Sequence, residues 1–279
     1  MKSRLFSFLL CFVMVTSIFL PVIPESAQAN TPVRTPISLD GVPLVMENPI
    51  RIINHTTYVP LVDFSSAVSR VSFSRTTGNN SVTVFVPGMR VDAGDGDLYI
   101  RANGRYLFAQ TGCRMVDNIM YVPLEPLSRA FGMFLDADDV TGELLLYYVH
   151  GVIEHGDYFY DEDEVDLLSR IINVESRSEP FTGKIAVGQV IINRTFSSMF
   201  PDTIRDVIFD RGHAVQFPPA HTSAFNRVPC NDCVVAAKLA LEGTDVVGNS
   251  LYFNWRGRNS WAQRNRPYVT TIGNHDFYA

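Results

Sequence analysis

Several familiar enzyme signatures are missing from this sequence. There is no G-x-S-x-G elbow for a serine nucleophile, no H-E-x-x-H helix for a catalytic zinc and no G-x-x-x-x-G-K-[ST] loop for a nucleotide phosphate. Positive charge is also in short supply. Lys and Arg total 23 against 29 Asp and Glu, a net charge of −6. That balance argues against nucleic acid as a partner, because phosphate backbones reward basic surfaces. Cysteine is scarce, with four residues, one of which (Cys11) lies in an N-terminal apolar run. Of the other three, Cys113 has no evident partner, and Cys230 and Cys233 form a C-x-x-C. In an exported chain that spacing reads first as a short-loop disulfide. Zinc would need a second ligand pair, and His213 and His221 match no common zinc spacing. His213, His221 and His275 are too scattered to argue as a metal set, so no metal or cofactor is expected.

Long apolar stretches are lacking after the first thirty or so residues. The start itself reads as a secretory signal. Basic "MKSR" precedes apolar "LFSFLLCFVMVTSIFL", and Ala27 and Ala29 occupy the −3 and −1 positions of a small-residue exit. Cleavage after Ala29 would remove Lys2, Arg4 and Glu25 and leave the chain one unit more acidic. The expected mature protein is exported and makes no stable membrane insertion.

What is present is a globular composition, 46% hydrophobic and 19% charged, over 279 residues. That length suggests two domains. The first half repeats itself at one constant offset: "LDGVPL" (39–44) matches "ANGRYL" (102–107), "YVPL" (58–61) recurs at 121–124, and "FSSAV" (64–68) faces "LSRAF" (127–131). Asp40-Gly41 and Asn103-Gly104 are hairpin-turn signals. The proline of each Tyr-Val-Pro-Leu ends a strand and presets a helix of about two to three turns. A second hairpin is expected around Thr77-Gly78. Two such units make an α+β module over 36–149, which carries no catalytic cluster.

Residues 150–162 read as a linker, and 163–279 as a mainly helical domain. Asp161 and the acidic residues after it fit a helix start, where they cap it and favour the positive end of its dipole. Leu168, Ile171 and Ile172 follow at helical spacing. "GKIAVGQVIINR" (183–194) predicts a second helix with Ile185, Gly188, Ile191 and Ile192 on one face. "DTIRDVIFD" and "DCVVAAKLALEG" predict two more, the last closed by Gly243. The tail from Ser250 reads as loop with short strands.

Glu175 stands near the end of the first of these helices, before Pro180. The negative end of the helix dipole and apolar Ile171, Ile172 and Val174 would both raise its pKa, as a general acid for glycosidic cleavage requires. Ser176 is placed to hydrogen-bond nearby and restrain it. An ordinary surface glutamate at a helix end is the competing reading.

The segment 167–210 then resembles the opening of the SleB-type cell wall hydrolases, the spore cortex-lytic enzymes and their relatives. The features are N-x-E-x-R-x-E-P-[FY], A-V-x-x-V-I-x-N-R, and F-P-[DN]-T followed by V-I-F. "QF" (216–217), "LYFN" (251–254) and "TIGNHDFY" (271–278) follow in the family's order. The N-terminal half, with its D/N-G hairpin, "YVPL" and short helix seen twice, resembles the copper amine oxidase N-terminal domain-like (stalk) module. No His-rich ligand set occurs, so no copper is implied.

The resemblance implies a two-domain α+β protein: a duplicated β-hairpin/helix stalk-like module, then a mainly helical lysozyme-like catalytic domain. It implies a lytic transglycosylase that cuts the MurNAc-GlcNAc β-1,4 bond of peptidoglycan and forms 1,6-anhydro-muramic acid, with spore cortex as one target. Glu175 corresponds to the catalytic glutamate and Glu179 to the motif's second, non-acid glutamate. Gln216, Phe217, Tyr252 and Asn254 are the expected substrate-binding residues, with Trp255 next in the same strand-like run, since sugar rings stack on aromatics and their hydroxyls want amide partners; a core role for Phe217 and Tyr252 is the competing reading. Arg194 is read as holding helices together. Val174, Ser176 and Ser178 depart from the family's pattern, and the valine is expected to narrow the cleft. A hydrolytic muramidase or glucosaminidase, and a non-catalytic wall-binding protein, are the alternative functions.

Overall fold

A computed structural model of the chain describes residues 36–76, 80–212 and 215–279. The expected signal segment, the Thr77-Gly78 turn and His213 lie outside these residues.

The first half is β-rich. In chain order it contains β1 (Ile37–Leu39), β2 (Val42–Pro43), β3 (Arg51–Ile53), β4 (Thr56–Pro60), α1 (Leu61–Val68), β5 (Ser72–Thr76), β6 (Ser81–Val86) and β7 (Met89–Gly94). β8 (Tyr99–Ala102), β9 (Arg105–Phe108), β10 (Arg114–Val116), β11 (Ile119–Pro123), α2 (Leu124–Ala130), β12 (Met133–Ala137) and β13 (Leu144–Tyr148) complete it. The strands form three sheets, in the orders β12-β13-β1-β2, β10-β11-β4-β3 and β5-β6-β7-β8-β9.

The internal repeat has a direct structural meaning. The two Tyr-Val-Pro strands, β4 and β11, pair antiparallel with one another: Tyr58 faces Pro123, Val59 faces Val122 and Pro60 faces Tyr121. The two units therefore meet about a local dyad. On one side Val59, Val122, Leu61, Phe64, Leu124 and Leu127 enter a shared core. On the other, Tyr58 and Tyr121 pack with Ile53. Both turns adopt the left-handed backbone that hairpins of this type require, with φ of 49° and 79° at Asp40-Gly41 and 49° and 80° at Asn103-Gly104. β1 pairs parallel with β13, so the first and last strands of the module lie side by side. β7 is a strand the repeat alignment does not contain; it joins the β5-β6 hairpin to the β8-β9 hairpin in one sheet.

The second half contains α3 (Gly156–Phe159), α4 (Glu162–Ser176), α5 (Phe181–Thr195), α6 (Ile204–Phe209), two 3-10 turns (Pro218–His221 and Ser223–Asn226), α7 (Asn231–Leu241), β14 (Tyr252–Trp255), α8 (Trp261–Asn265), β15 (Tyr268–Ile272) and β16 (His275–Tyr278). Asp161 caps α4 by accepting from the N–H groups of Asp163 and Glu164 at 2.9 and 3.0 Å. α4, α5 and α7 pack around Leu168, Ile171, Ile172, Ile185, Ile191 and Ala236. The crossing is close: a methyl group at Gly188 would lie 3.0 Å from both Ala240 and Ile172.

α5 is buried on more than the one face its pattern suggests. Ile185, Val187 and Ile191 enter the helical core, while Ala186 and Val190 pack on the other side with Val247 and Phe277. A helix apolar nearly all round belongs at the centre of its domain. The tail, expected as loop with short strands, forms an antiparallel sheet in the order β14-β16-β15, and this sheet covers that second face.

The 150–162 stretch, read from sequence as a linker, is packed down. The Gly156 N–H donates to the Asn103 carbonyl at 2.8 Å, and the Asn103 side chain donates to the Ile153 carbonyl at 3.0 Å. Across the junction, Arg105 of β9 forms a forked ion pair with Glu242 after α7, Nε to Oε1 at 2.8 Å and Nη2 to Oε2 at 2.6 Å. The Glu242 side chain is only 1% exposed. The Tyr160 hydroxyl also donates to Glu242 (2.7 Å) while accepting from the Tyr106 N–H (3.1 Å). Among the described residues no helix is long and apolar enough to cross a membrane.

Candidate active site

Glu175 lies in the last turn of α4, where the helix meets a cleft of about 1260 Å³. α4 brings the acid, α5 brings Arg194, the segment after α6 brings Gln216 and Phe217, and β14 brings Tyr252 and Asn254. Helix, irregular segment and sheet therefore converge on one concavity. The five residues singled out from the sequence as acid or sugar contacts all line it.

Burial pushes the Glu175 carboxyl up to about 7. Removing a carboxylate from water disfavours its charged form. Its Oε1 is buried without a hydrogen-bond partner. No other charge or hydrogen bond contributes to the shift, so it follows from desolvation, with Ile171 and Ile172 buried on the same helix. A carboxyl balanced near neutrality can give up a proton and take it back, which is what general acid–base work asks of it.

Ser176 does not restrain the acid. It is buried, and its hydroxyl donates to the Ile172 carbonyl one turn back at 2.8 Å. A serine inside a helix commonly makes this bond. Val174 packs against the helical core and is not among the residues lining the cleft, so the expected narrowing does not arise. Ser178 is exposed.

Glu179 does different work from Glu175. It is 3% exposed. Burial alone would push its pKa up, but hydrogen bonds from the backbone and side-chain N–H groups of Asn274, with His275 and Lys184 nearby, hold it below the ordinary carboxylate range. The bonds measure 2.7 Å to Oε2 and 3.1 Å to Oε1. It thereby ties the α4–α5 turn to the β15–β16 turn. At Gly273 of that turn a methyl group would lie 2.1 Å from the Glu179 carboxylate.

Arg194 is 4% exposed and sits under the cleft wall. Its guanidinium carbon lies 4.6 Å from the ring centre of Phe200, 5.1 Å from Phe217 and 5.6 Å from Tyr252. Nε donates to the Leu251 carbonyl at 2.8 Å, which joins α5 to the start of β14. Burial draws its pKa down to about 10. Phe217 is 2% exposed, so its ring belongs mostly to the core, facing Phe253 and Arg194.

Trp255, which follows Tyr252 and Asn254 in the same run, also lines the cleft, while Asp210 at the end of α6, Met199, Arg258, Trp261 and His275 line it and escape sequence reasoning. Trp255 and Trp261 are the chain's two tryptophans, and at 54% and 53% exposure they offer open ring faces at the rim. For Trp261, a second tryptophan in an aromatic, arginine-rich tail was the available signal. Asp210 gave none, since a lone aspartate at a helix end is common. Elsewhere in the domain Cys230 and Cys233 are paired in a disulfide at the start of α7. Cys113 is free and buried in the N-terminal module.

Comparison with known proteins finds a different family in each half of the chain. The family described as Cell Wall Hydrolase matches residues 178–278, a range that opens three residues after Glu175, and the Copper amine oxidase N-terminal domain matches residues 37–146. The spore cortex-lytic enzyme of Oceanobacillus iheyensis is 36% identical over 123 residues, 42% of this chain and 42% of that protein. The spore cortex-lytic enzyme of Bacillus cereus is 34% identical over 123 residues, 42% of this chain and 45% of that protein. The chain thus spans less than half the length of these curated relatives. Among solved structures, the catalytic domain of the Bacillus cereus SleB protein is 31% identical, with 43% of this chain and 92% of that chain covered at a TM-score of 0.40. The chain is thus similar to a copper amine oxidase N-terminal domain over residues 37–146 and to a cell wall hydrolase domain over residues 178–278.

Proposed function

We propose that this chain is a peptidoglycan-cleaving enzyme, a lytic transglycosylase in which Glu175 is the single acid and base. The observation that carries the reading is the desolvated Glu175 carboxyl, raised to about 7, at the floor of an aromatic-walled cleft. Protonated, Glu175 gives its proton to the leaving oxygen of the β-1,4 bond. The resulting carboxylate then takes the proton of the muramic acid 6-hydroxyl as that oxygen bonds to C1. The products are a free hydroxyl end and a 1,6-anhydro end. No water is consumed, and Glu175 returns to its starting form.

Around it, Tyr252 and the two tryptophans supply ring faces and Asn254 an amide, while Gln216 lines the opposite segment of chain. The finer fold reading is a lysozyme-like domain, supported by an acid at a helix end facing a small antiparallel sheet. The N-terminal module would position or anchor the catalytic domain outside the cytoplasm. The names of the curated relatives support spore cortex as a target.

Asp210 favours a second reading. Ordinary glycoside hydrolysis uses two carboxylates, and Asp210 lines the same cleft. It would serve there as base for a water, making the protein a muramidase. Mass spectrometry of digested peptidoglycan separates the two. Anhydro ends from the wild type and from Asp210→Asn support the transglycosylase. Hydrated reducing ends, lost in Asp210→Asn, support the hydrolase. Binding to walls with no cleavage by the wild type would overturn both.

A further inference from the structure

Residues 246–275 contain four arginines, Arg256, Arg258, Arg264 and Arg266, and no acidic residue, in a chain whose net charge is −6. All four lie between the end of β14 and the residue after α8, interleaved with Trp255 and Trp261. Arg258 lines the cleft together with Glu175 and both tryptophans. Arg256, Arg258 and Arg264 are exposed.

Among the described residues none of these arginines is ion-paired. Arg264 donates to the Asn259 side chain at 2.8 Å, and Arg266 to the Tyr252 hydroxyl at 3.2 Å, both neutral acceptors. The nearby carboxylates are otherwise engaged. Asp276, below the turn, accepts from the Gly257 N–H and the Thr271 hydroxyl. Asp210 accepts from the Gly212 N–H at 2.7 Å.

A neutral sugar strand calls for ring faces and hydroxyl partners, and the cleft supplies those without any arginine. Arg266 is already stacked over the Trp261 and Tyr252 rings, but the exposed, unpaired guanidinium groups of Arg256 and Arg258 beside Trp255 call in addition for an anion, which they grip as a planar fork. On a peptidoglycan strand the anions are the carboxylates of the peptide stems carried by muramic acid. We propose that the 256–266 lip binds these stem carboxylates, so that the preferred substrate is a glycan strand bearing peptide stems. This rests on the glycan-cleaving reading above and adds to it the part of the substrate outside the sugar chain. An acid-free wall on an acidic protein also orients the approach, since the rest of the surface repels what the lip attracts.

Full-length Glu175→Gln protein tests the lip apart from catalysis. Its binding is measured to soluble glycan strands with stems and to the same strands after an amidase has removed them. Tryptophan fluorescence is the readout, because Trp255 borders the lip and Trp261 lies within it. Stem-bearing strands are expected to bind about tenfold more tightly at low salt, and adding Arg256→Gln and Arg258→Gln, or raising salt to about 0.5 M, should cut that ratio to about twofold. Equal affinity for both strands, or a preference that survives the two substitutions, overturns the proposal. Cleavage by the wild type is scored separately. Stem-dependent binding without cleavage counts against the glycan-cleaving reading and leaves the lip standing, whereas cleavage without stem-dependent binding counts against the lip alone.

Discussion

Glu179 holds Asn274 by two hydrogen bonds, one from its backbone N–H and one from its side-chain amide. The pair joins residues 95 positions apart and fixes the turn that leads into the central strand β16, whose first residue, His275, lines the cleft. Glu179→Ala should destabilise the protein by about 1–3 kcal/mol, because it removes two hydrogen bonds to a charged carboxylate that tie the α4–α5 turn to the β15–β16 turn. The native bonds favour the charged form, so their contribution is present above the ordinary glutamate pKa and is lost as pH falls through the lowered one. Thermal melts from pH 7 to pH 3 should therefore show the gap between wild type and Glu179→Ala closing in acid. A gap independent of pH would contradict the assignment.

The sign is opposite at Glu175. Its pKa rises on folding from 4.5 to about 7, so it favours the fold fully below about 4.5 and loses that contribution as pH climbs through 7. Glu175→Gln should melt higher than wild type at pH 8, by about 1–2 kcal/mol once partial exposure is allowed for, and equally at pH 4. The same substitution should lower wall lysis by about 10²–10⁴-fold. Wild-type activity should decline above pH 7 as the acid loses its proton. A melt at pH 8 no higher than wild type would refute the burial argument independently of any assay of lysis.

The junction between the domains makes a third prediction. Glu242→Leu would strand the guanidinium of Arg105, whose side chain is 13% exposed, and should cost about 3–5 kcal/mol. Pairing it with Arg105→Met should recover much of that loss, because the charge is then gone as well. Wild type should unfold in a single transition by calorimetry, and Glu242→Leu in two. One transition in both proteins would mean that the ion pair does not couple the domains.

Much of this was legible locally. The Asp161 cap, the Asp-Gly and Asn-Gly turns and the Pro-Leu helix starts depend on neighbours in sequence, and a sequence shows its neighbours. The duplication was visible as repeated letters, but the antiparallel pairing of its two copies was not, because register between distant strands is set by packing. Glu175 could be singled out at its helix end. What raises its pKa, however, is burial, a property of the folded cleft. Ser176 was misread for a related reason: its neighbour in sequence is Glu175, but its neighbour along the helix is the Ile172 carbonyl. Asp210, Arg194 and Trp261 come together only through tertiary structure, from an aspartate, an arginine and a tryptophan that carry no common motif.

The dyad between β4 and β11 gives the N-terminal module two equivalent tips, and the protein treats them unequally. The Asn103-Gly104 tip is occupied: it accepts the Gly156 N–H and supports the chain on its way into α4. At the Asp40-Gly41 tip both residues are exposed, and a methyl group at Gly41 would meet nothing within 4 Å. Duplication thus produced a module that is symmetric as a fold and polar as a connector, with a joined end and an open end. The joined end lies on the same β8-β9 hairpin as Arg105, whose pair with Glu242 ties the second half of the chain to the module.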